Sequence, residues 1–230
     1  MKSTQFWIMI KKKQHEVTTI YVVRHGESQS NVYAHENPDK PASHFGEFGS
    51  SLTQKGKEQA HTLAQKLKTI SFSAFFSSDL NRAKETAEII ASYYDIPVIN
   101  EKIIRERFFG EPMSNVKKKT IEKVLDQLAE EKKFAFKYFP NGESGHDVVN
   151  RFQKFLKEVA HKHKNKTVLV VSHSYVMRLF LIHAKFAKFD ELKGGTIKNA
   201  GYFVIEIDDD SFRIVDKHGI TRNRGYDDEE

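Results

Sequence analysis

The 230-residue sequence predicts an α/β fold, a three-layer sandwich with a mainly parallel central sheet and helices on both faces. The first observation is that short apolar runs alternate with longer segments of helical periodicity. The second is that two of these runs, Thr18–Val23 and Thr167–Ser172, lead into turns that contain a histidine. In open α/β sheets ligands bind beyond the carboxyl ends of the strands, so these two turns are the first candidates for a functional site.

The strand-like runs are short, apolar and bounded by turn residues. In chain order they are Thr18–Val23, Phe72–Phe76, Val98–Ile99, Thr167–Ser172 and the two runs of a closing antiparallel hairpin, Tyr202–Ile207 and Phe212–Val215. The helical segments carry apolar residues three and four positions apart. They extend from the N-cap Thr53 to about Lys68, from Leu80 to Tyr94, from about Val116 to Lys132, from Asp147 to Lys162, and from His173 through Ile182.

Two segments interrupt this alternation. Residues 32–50 are polar and rich in His, Pro and Gly, which predicts a loop. Residues 111–140 predict an inserted helical lid, in which the charged helix is followed by the aromatic stretch 134–139. The remainder gives no sign of a linker or a repeat. We therefore expect one domain over 1–230, with an N-terminal extension at 1–17 and a disordered tail at 222–230.

The composition excludes several classes of function. The chain has no cysteine, which rules out a disulfide framework, a thiolate nucleophile and a cysteine-based zinc site. The net charge of +6 is spread over helix-like segments, so solvated helix faces are expected and nucleic-acid binding is not. The apolar run Phe6–Ile10 is too short for a membrane span, and the lysines after it are on the wrong side for a secretory signal. A cytoplasmic protein without a membrane partner is expected.

The most specific pattern is Arg24-His25-Gly26-Glu27, directly after the first strand. It places an imidazole and a guanidinium at the carboxyl end of a strand, before a helix start whose amides favour anions. His173 ends another strand in the same way, and Arg82 lies near the start of a helix. Two strand-end histidines together with arginines indicate phosphoryl chemistry.

Four further segments accompany this pattern in a fixed order: Ser51–Gly56, Ser77–Ala87, Ile104–Glu111 and Asn141–Ser144. Taken together, the segments resemble the histidine phosphatase superfamily, also called the phosphoglycerate mutase-like family. The resemblance runs from about Thr19 to His173, which is most of the chain. It implies the phosphoglycerate mutase-like form of the predicted sandwich.

The resemblance also implies roles for individual residues. His25 is expected to be the nucleophile that forms a phosphohistidine, since a neutral imidazole is available near neutral pH. The residues expected to bind the phosphoryl group are Arg24, Asn31, Arg82, His173 and Ser174. Ser174 stands where many members have Gly, and it either donates to the phosphate or only starts its helix. No metal or other cofactor is expected, because the cationic side chains supply the positive field.

The general acid is expected to be Glu106, which matches the acid of the family by position. It would protonate the leaving group and later activate water. Three other carboxylates compete for this role. Glu27 is the more natural cap for its own helix, and Glu143 for the turn before the long helix, while Glu111 stays open.

The family contains enzymes that give the phosphoryl group to water and enzymes that return it to a substrate. Phosphoglycerate mutases typically follow the Arg-His-Gly-Glu-Ser motif with a Trp-Asn pair, whereas this chain has Gln29-Ser30-Asn31-Val32. That departure favours a phosphatase over a mutase. A phosphoryl-binding adaptor without catalysis is a third hypothesis. The expected partner is a phosphorylated small molecule, with a phosphoprotein as the alternative, and the sequence does not indicate an oligomeric state.

Overall fold

The computed structural model describes residues 16–37, 50–110, 118–208 and 211–223. Its strands are β1 (Thr18–Arg24), β2 (Ala74–Ser77), β3 (Val98–Asn100), β4 (Thr167–Ser172), β5 (Ile197–Asp208) and β6 (Ser211–Ile220). Its helices are α1 (Gln29–Glu36), α2 (Gln54–Leu67), α3 (Asn81–Ala91), α4 (Lys118–Gln127), α5 (Glu130–Lys133), α6 (Gly145–Lys162) and α7 (Ser174–His183). A short 3₁₀ turn, Lys102–Ile104, follows β3.

The strands form one sheet in the order β3-β2-β4-β1-β5-β6. The four strands from β3 to β1 are parallel, and β5 and β6 are added antiparallel at the other edge. Side chains of α6 and α7 pack on one face, around Phe152 and Phe180, and those of α2 and α3 on the other, around Leu63 and Ile90. The predicted three-layer sandwich with a mainly parallel sheet is therefore confirmed.

The predicted loop at 32–50 is wrong at its start, because α1 continues to Glu36. The helix begins where the Asn31 side-chain oxygen accepts from the backbone N–H of Ser28, at 3.2 Å. Only Ser30 of this helix is buried, so α1 has no apolar face. Hydrophobic periodicity could not reveal it for that reason. Residues 38–49 of the predicted loop lie outside the described part of the chain.

The single helix predicted for Val116–Lys132 is also wrong, because the structure has two helices, α4 and α5, with a break at Ala129. Glu130 explains the break: its carboxylate accepts from the backbone N–H of Phe189 at 3.0 Å and from Lys133 at 2.9 Å. The contact with Phe189, which is distant in sequence, fixes Glu130 as the first residue of a separate helix. Val116 lies outside the described residues, and the role of 111–140 as a lid stays a prediction.

Two residues of the tail predicted at 222–230, Arg222 and Asn223, contact Glu191. Arg222 pairs with the carboxylate of Glu191 at 2.5 Å, and the backbone N–H of Asn223 donates to the Glu191 carbonyl at 2.9 Å. Two contacts with one residue hold the chain to at least Asn223. Residues 224–230, like residues 1–15 of the predicted extension, are outside the described chain. None of the described helices is both long and apolar enough to cross a membrane.

The contact between Gly26 and Gly56 brings the loop after β1 against the first turn of α2. A Cβ on Gly56 would lie 2.0 Å from the Glu27 carbonyl oxygen, and one on Gly26 would lie 2.4 Å from the Gly56 carbonyl oxygen. Real atoms cannot approach so closely, and both neighbours are backbone. The two glycines therefore hold the motif loop in place through their lack of side chains.

Gly56→Ala is expected to destabilise the fold by about 1–3 kcal/mol, the usual cost of overpacking. The sign is informative, because Gly→Ala inside a helix otherwise stabilises by up to about 1 kcal/mol. Urea unfolding followed by circular dichroism measures the difference. Lys57→Ala, an exposed change at the next position of the same helix, serves as the control and should alter stability by less than about 0.5 kcal/mol. A Gly56→Ala chain as stable as the parent would contradict the contact.

Candidate active site

Two parallel neighbours, β1 and β4, end side by side and bring the two predicted turns together. Arg24 is opposite Ser172 in the register, and the backbone N–H of His25 donates to the Ser172 carbonyl at 3.1 Å. The His25 and His173 rings consequently lie with centroids 5.2 Å apart, edge to face. Both side chains are buried. The candidate site thus lies at the carboxyl edge of the sheet, where the sequence predicts it.

Two hydrogen bonds fix the tautomer of His25. Its Nδ1 lies 2.7 Å from the carbonyl oxygen of Gly26, which can only accept, so Nδ1 carries the proton. Its Nε2 accepts from Nε of Arg82 at 3.2 Å. Burial, and then the charges of Arg82 and Arg24, hold the pKa of His25 well below its usual value. The imidazole is therefore neutral at neutral pH, with the lone pair on Nε2 directed at Arg82.

His173 is held by a serine from another strand end. Its Nε2 lies 2.8 Å from Oγ of Ser78, which follows β2. Its Nδ1 is buried and has no hydrogen-bond partner among the described residues. Burial first, and then the nearby Arg82, keep the pKa of His173 well below the ordinary value. Ser78 belongs to a segment that the sequence singles out, but its contact with His173 was not predicted.

Arg24 and Arg82 bring two positive charges to the histidines. Arg82, in the first turn of α3, is buried, and its Nη1 has no partner in the described part of the chain. Arg24 donates from Nη1 to the carbonyl of Ile197, while its Nε is buried without a partner there. Burial lowers the pKa of Arg24 to about 10, against the raising effect of Glu106. Buried cationic donors of this kind suit an anionic ligand.

Glu106 reaches the site from the loop after β3. The hydroxyl of Ser172, the last residue of β4, donates to the Ile104 carbonyl at 3.0 Å and so ties this loop to the strand ends. The Glu106 carboxyl accepts from the backbone N–H groups of Arg107, at 3.0 Å, and Tyr175, at 3.4 Å. Burial raises the pKa of Glu106, although these two donors and the arginines Arg82 and Arg24 oppose the rise. A raised pKa is what a proton donor near neutral pH needs.

The competing carboxylates have other partners. Glu143 binds Arg151 at 2.7 Å and accepts from the backbone N–H of Phe108 at 2.8 Å, so it does organise the turn before α6. The sequence predicts that Glu27 caps its own helix, but it does not. It accepts from Lys55 at 2.8 Å and Thr53 at 2.9 Å, at the start of α2. Glu111 lies outside the described residues.

Asn199 is a site residue that sequence reasoning missed. Its side-chain nitrogen donates to the His25 carbonyl at 3.1 Å and to the side-chain oxygen of Asn31 at 3.0 Å. With its oxygen so occupied, Asn31 keeps its own amide N–H groups as donors, which fits its predicted phosphate contact. Asn199 lies where the pairing of β5 with β6 shifts register, next to Ala200 with φ of 55°. An asparagine inside a strand was the available signal.

Arg105 and Arg107 could, from the sequence alone, contact an anionic substrate, but the structure engages both elsewhere. Arg105 pairs with Asp79, with Nε 2.6 Å from Oδ1. Arg107 is buried and donates to the carbonyls of Glu143, at 2.9 Å, and Phe136, at 2.8 Å. Their role is to hold the loops around the site. Ser174 is the first residue of α7, and its contact with phosphate stays a prediction.

No group of three His, Asp or Glu side chains in the described ranges is arranged to hold a metal ion. The site is instead a set of two neutral imidazoles, two guanidinium groups and one carboxyl. Such a set can hold a tetrahedral anion, offer a nucleophilic nitrogen to it and supply a proton.

Comparison with known proteins agrees with the family resemblance found in the sequence. The sequence model described as "Histidine phosphatase superfamily (branch 1)" matches residues 20–218. Phosphoserine phosphatase 1 of Hydrogenobacter thermophilus is 31% identical over 208 residues, which cover 90% of this chain and 94% of that protein. A metal-independent phosphoserine phosphatase of Arabidopsis thaliana is also 31% identical, over 90% of this chain and 84% of that protein. The structure of YhfR from Bacillus stearothermophilus superposes with a TM-score of 0.69 at 26% identity, covering 89% of this chain and 98% of that one.

Proposed function

Because this chain belongs to the histidine phosphatase superfamily, we propose that it is a phosphatase that hydrolyses small phosphomonoesters through a phosphohistidine on His25. The observation that carries the proposal is the pair of hydrogen bonds at His25. They leave the proton on Nδ1, bonded to the Gly26 carbonyl, and the lone pair on Nε2, directed at Arg82. The charge of Arg24 and the ring of His173 are also close to His25. A nucleophile fixed in its reactive tautomer inside a cationic pocket supports covalent phosphoryl transfer.

In the first step the Nε2 lone pair attacks phosphorus and the ester P–O bond breaks. The proton of the Glu106 carboxyl passes to the leaving oxygen, so an alcohol departs and Glu106 becomes a carboxylate. Arg24, Arg82 and His173 donate to the phosphoryl oxygens, and the Arg82 N–H that rests on Nε2 turns to one of them. The Nδ1–H bond to Gly26 stabilises the positive charge that forms on the ring.

In the second step the Glu106 carboxylate takes a proton from water as the water oxygen attacks phosphorus. The N–P bond breaks, the electron pair returns to Nε2, and inorganic phosphate leaves. Glu106 is again protonated and His25 is again neutral, so the cycle closes without a cofactor. Glu106 can act as an acid and then as a base because two effects on its pKa oppose each other. Burial favours the protonated form, and the charges of Arg82 and Arg24 favour the carboxylate.

A hydrolysis screen over phosphometabolites tests the proposal, with phosphoserine first because two relatives are named phosphoserine phosphatases. Release of inorganic phosphate by the parent chain, and not by His25→Ala, supports a phosphatase. Transfer of labelled phosphoryl to a second hydroxyl without net release would favour the mutase alternative. Tight binding without turnover of any substrate would favour the adaptor. A phosphopeptide in the panel covers the phosphoprotein alternative.

The pH dependence of kcat/KM on an alkyl phosphate should fall on the alkaline side as Glu106 loses its proton. The lowered pKa of His25 keeps the nucleophile neutral through mildly acidic pH, while the raised pKa of Glu106 keeps the acid protonated above its ordinary range. The substrate itself ionises near pH 6, and this affects the pH profile of every variant equally. The profile of Glu106→Gln should therefore differ from that of the parent chain in one respect, which is the absence of the alkaline decline. Persistence of the decline in Glu106→Gln would assign the acid to another residue.

Dialysis against a chelator should leave turnover unchanged within about twofold, because Arg24 and Arg82 supply the positive charge that a metal ion provides in other phosphatases, and neutral His173 adds a hydrogen-bond donor. The measurement compares the dialysed protein with and without added magnesium, manganese or zinc. Loss of activity on dialysis, with recovery on adding one metal, would contradict the arrangement.

A further inference from the structure

A small pocket adjoins the phosphoryl site. It measures about 30 Å³, and its walls are the first turn of α7 and the connection at 193–197. That volume is roughly twice what one water molecule needs, which matches a carboxylate group rather than a ring.

Two contacts connect this pocket with the site. Tyr175, in its wall, donates its backbone N–H to Glu106, the proposed acid. Ile197, also in its wall, accepts from Arg24 through its carbonyl. If Glu106 protonates the leaving oxygen, the carbon atoms of the leaving group lie next to Glu106. The pocket is then within reach of a leaving group, because Tyr175 belongs to its wall.

The pocket is positively charged. Arg178 and Lys193 line it, and none of the described residues in its walls is acidic. Neither side chain has an ion pair within the described ranges of the chain. The Arg178 Nε is buried with no hydrogen-bond partner there, while its Nη2 donates to the Phe189 carbonyl at 3.2 Å. The rings of Tyr175 and Phe189, 5.7 and 5.8 Å from the guanidinium carbon, hold Arg178 in one orientation.

We infer that Arg178 and Lys193 bind a carboxylate of the leaving group, so that the substrate is a phosphorylated hydroxy acid or amino acid. The carboxylate stands on the carbon next to the one that bears the ester oxygen, as in phosphoserine. A guanidinium has five N–H donors, of which the Phe189 carbonyl takes one, so Arg178 keeps donors for a carboxylate, and the lysine adds charge at the rim. This inference rests on the proposed function, since it takes Glu106 to mark the leaving oxygen.

The test compares phosphoserine with phosphoethanolamine, which lacks only the carboxylate, and with 4-nitrophenyl phosphate. Arg178→Met should lower kcat/KM for phosphoserine by about 10- to 100-fold, the range for a lost hydrogen bond to a charged group. Lys193→Met, at an exposed position, should lower it by about threefold. Neither change should alter kcat/KM for the other two substrates by more than about twofold.

Two controls accompany these variants. Lys188→Met removes an exposed lysine from the same connection outside the pocket and should leave all three substrates unaffected. Arg178→Lys keeps the charge and should recover part of the phosphoserine activity. Because Arg178 also holds the Phe189 carbonyl, unchanged activity of Arg178→Met on phosphoethanolamine is the proof that this variant is folded. If Arg178→Met does not fold, Lys193→Met decides the question by the same comparison.

Equal losses on all three substrates, or a parent chain that prefers phosphoethanolamine to phosphoserine, would overturn the inference. A binding experiment tests the carboxylate site independently of the proposed function. Calorimetry measures the binding of phosphoserine and phosphoethanolamine to His25→Ala chains, in which no catalysis is needed. Weaker binding of phosphoserine alone in the Lys193→Met or Arg178→Met background supports the carboxylate site even if the parent chain hydrolyses nothing. Binding that does not distinguish the two compounds rejects the carboxylate site even if the chain is an active phosphatase.

Discussion

His25→Ala should lower turnover of a phosphomonoester by about 10⁴-fold or more, because loss of a covalent nucleophile costs up to about 10⁶-fold. The parent chain, quenched after brief exposure to substrate, should carry an acid-labile and base-stable phosphate on His25. Its Nε2 is the ring nitrogen that carries the lone pair, and it accepts a hydrogen bond from Arg82. Peptide mapping by mass spectrometry under alkaline conditions locates the modification.

His61→Ala is the matched control for that experiment. His61 lies exposed on α2, where its Nδ1 is 3.1 Å from the hydroxyl of Tyr93. Its replacement should leave turnover within about twofold. A phosphate found on a serine, or an active His25→Ala chain, would show that the nucleophile is elsewhere. Thermal unfolding of both variants verifies that the loss at His25 is chemical and not a loss of structure.

Glu106→Gln should slow the hydrolysis of an alkyl phosphate by about 10²–10⁴-fold, the usual contribution of a general acid. For 4-nitrophenyl phosphate the phosphorylation step should be far less affected, because that leaving group departs without a proton. The burst of nitrophenol in pre-steady-state kinetics isolates this step from the later attack by water. Arg82→Ala should instead damage both substrates alike, since it acts on the phosphoryl oxygens that both share.

Glu27→Gln is the control carboxylate. Its partners are Lys55 and Thr53 at the start of α2, so its replacement should change neither burst by more than about threefold. A dependence on the leaving group in Glu27→Gln would assign the role of acid to Glu27. Equal slowing of both substrates in Glu106→Gln, with no such dependence in Glu27→Gln, would make Glu143 and Glu111 the next candidates.

The layers and the meeting of His25 with His173 were predictable because they depend on local patterns. Apolar runs of strand length reveal β1 and β4, and parallel strands that are neighbours must end at the same edge. Helix α1 was missed because its sequence has no apolar face, and its start depends on one side-chain contact, between Asn31 and Ser28. Periodicity detects burial and cannot detect such a cap.

The supporting contacts of the site were not predictable, since their partners are far apart in sequence. Ser78 meets His173 across 95 positions, and Asn199 meets the His25 carbonyl across 174 positions. The same reason explains why Arg105 and Arg107 looked available for a substrate. Each is an ordinary surface-type residue in the sequence, and only the folded chain brings Asp79 and the Glu143 carbonyl to them.

The buried neutral histidines make the free energy of unfolding depend on pH. Unfolded histidine takes up protons near pH 6.5, whereas the lowered pKa values of His25 and His173 delay this in the folded chain. Stability contributed by the two groups is therefore complete above that pH and is lost as the pH falls below it. Product phosphate acts in the opposite direction. If Arg24 and Arg82 bind phosphate as proposed, phosphate binds only the native chain, and at 100 times its dissociation constant it raises the free energy of unfolding by about 2.7 kcal/mol. The product of the proposed reaction is therefore expected to protect the folded protein from acid, and a higher phosphate concentration should raise the folded fraction.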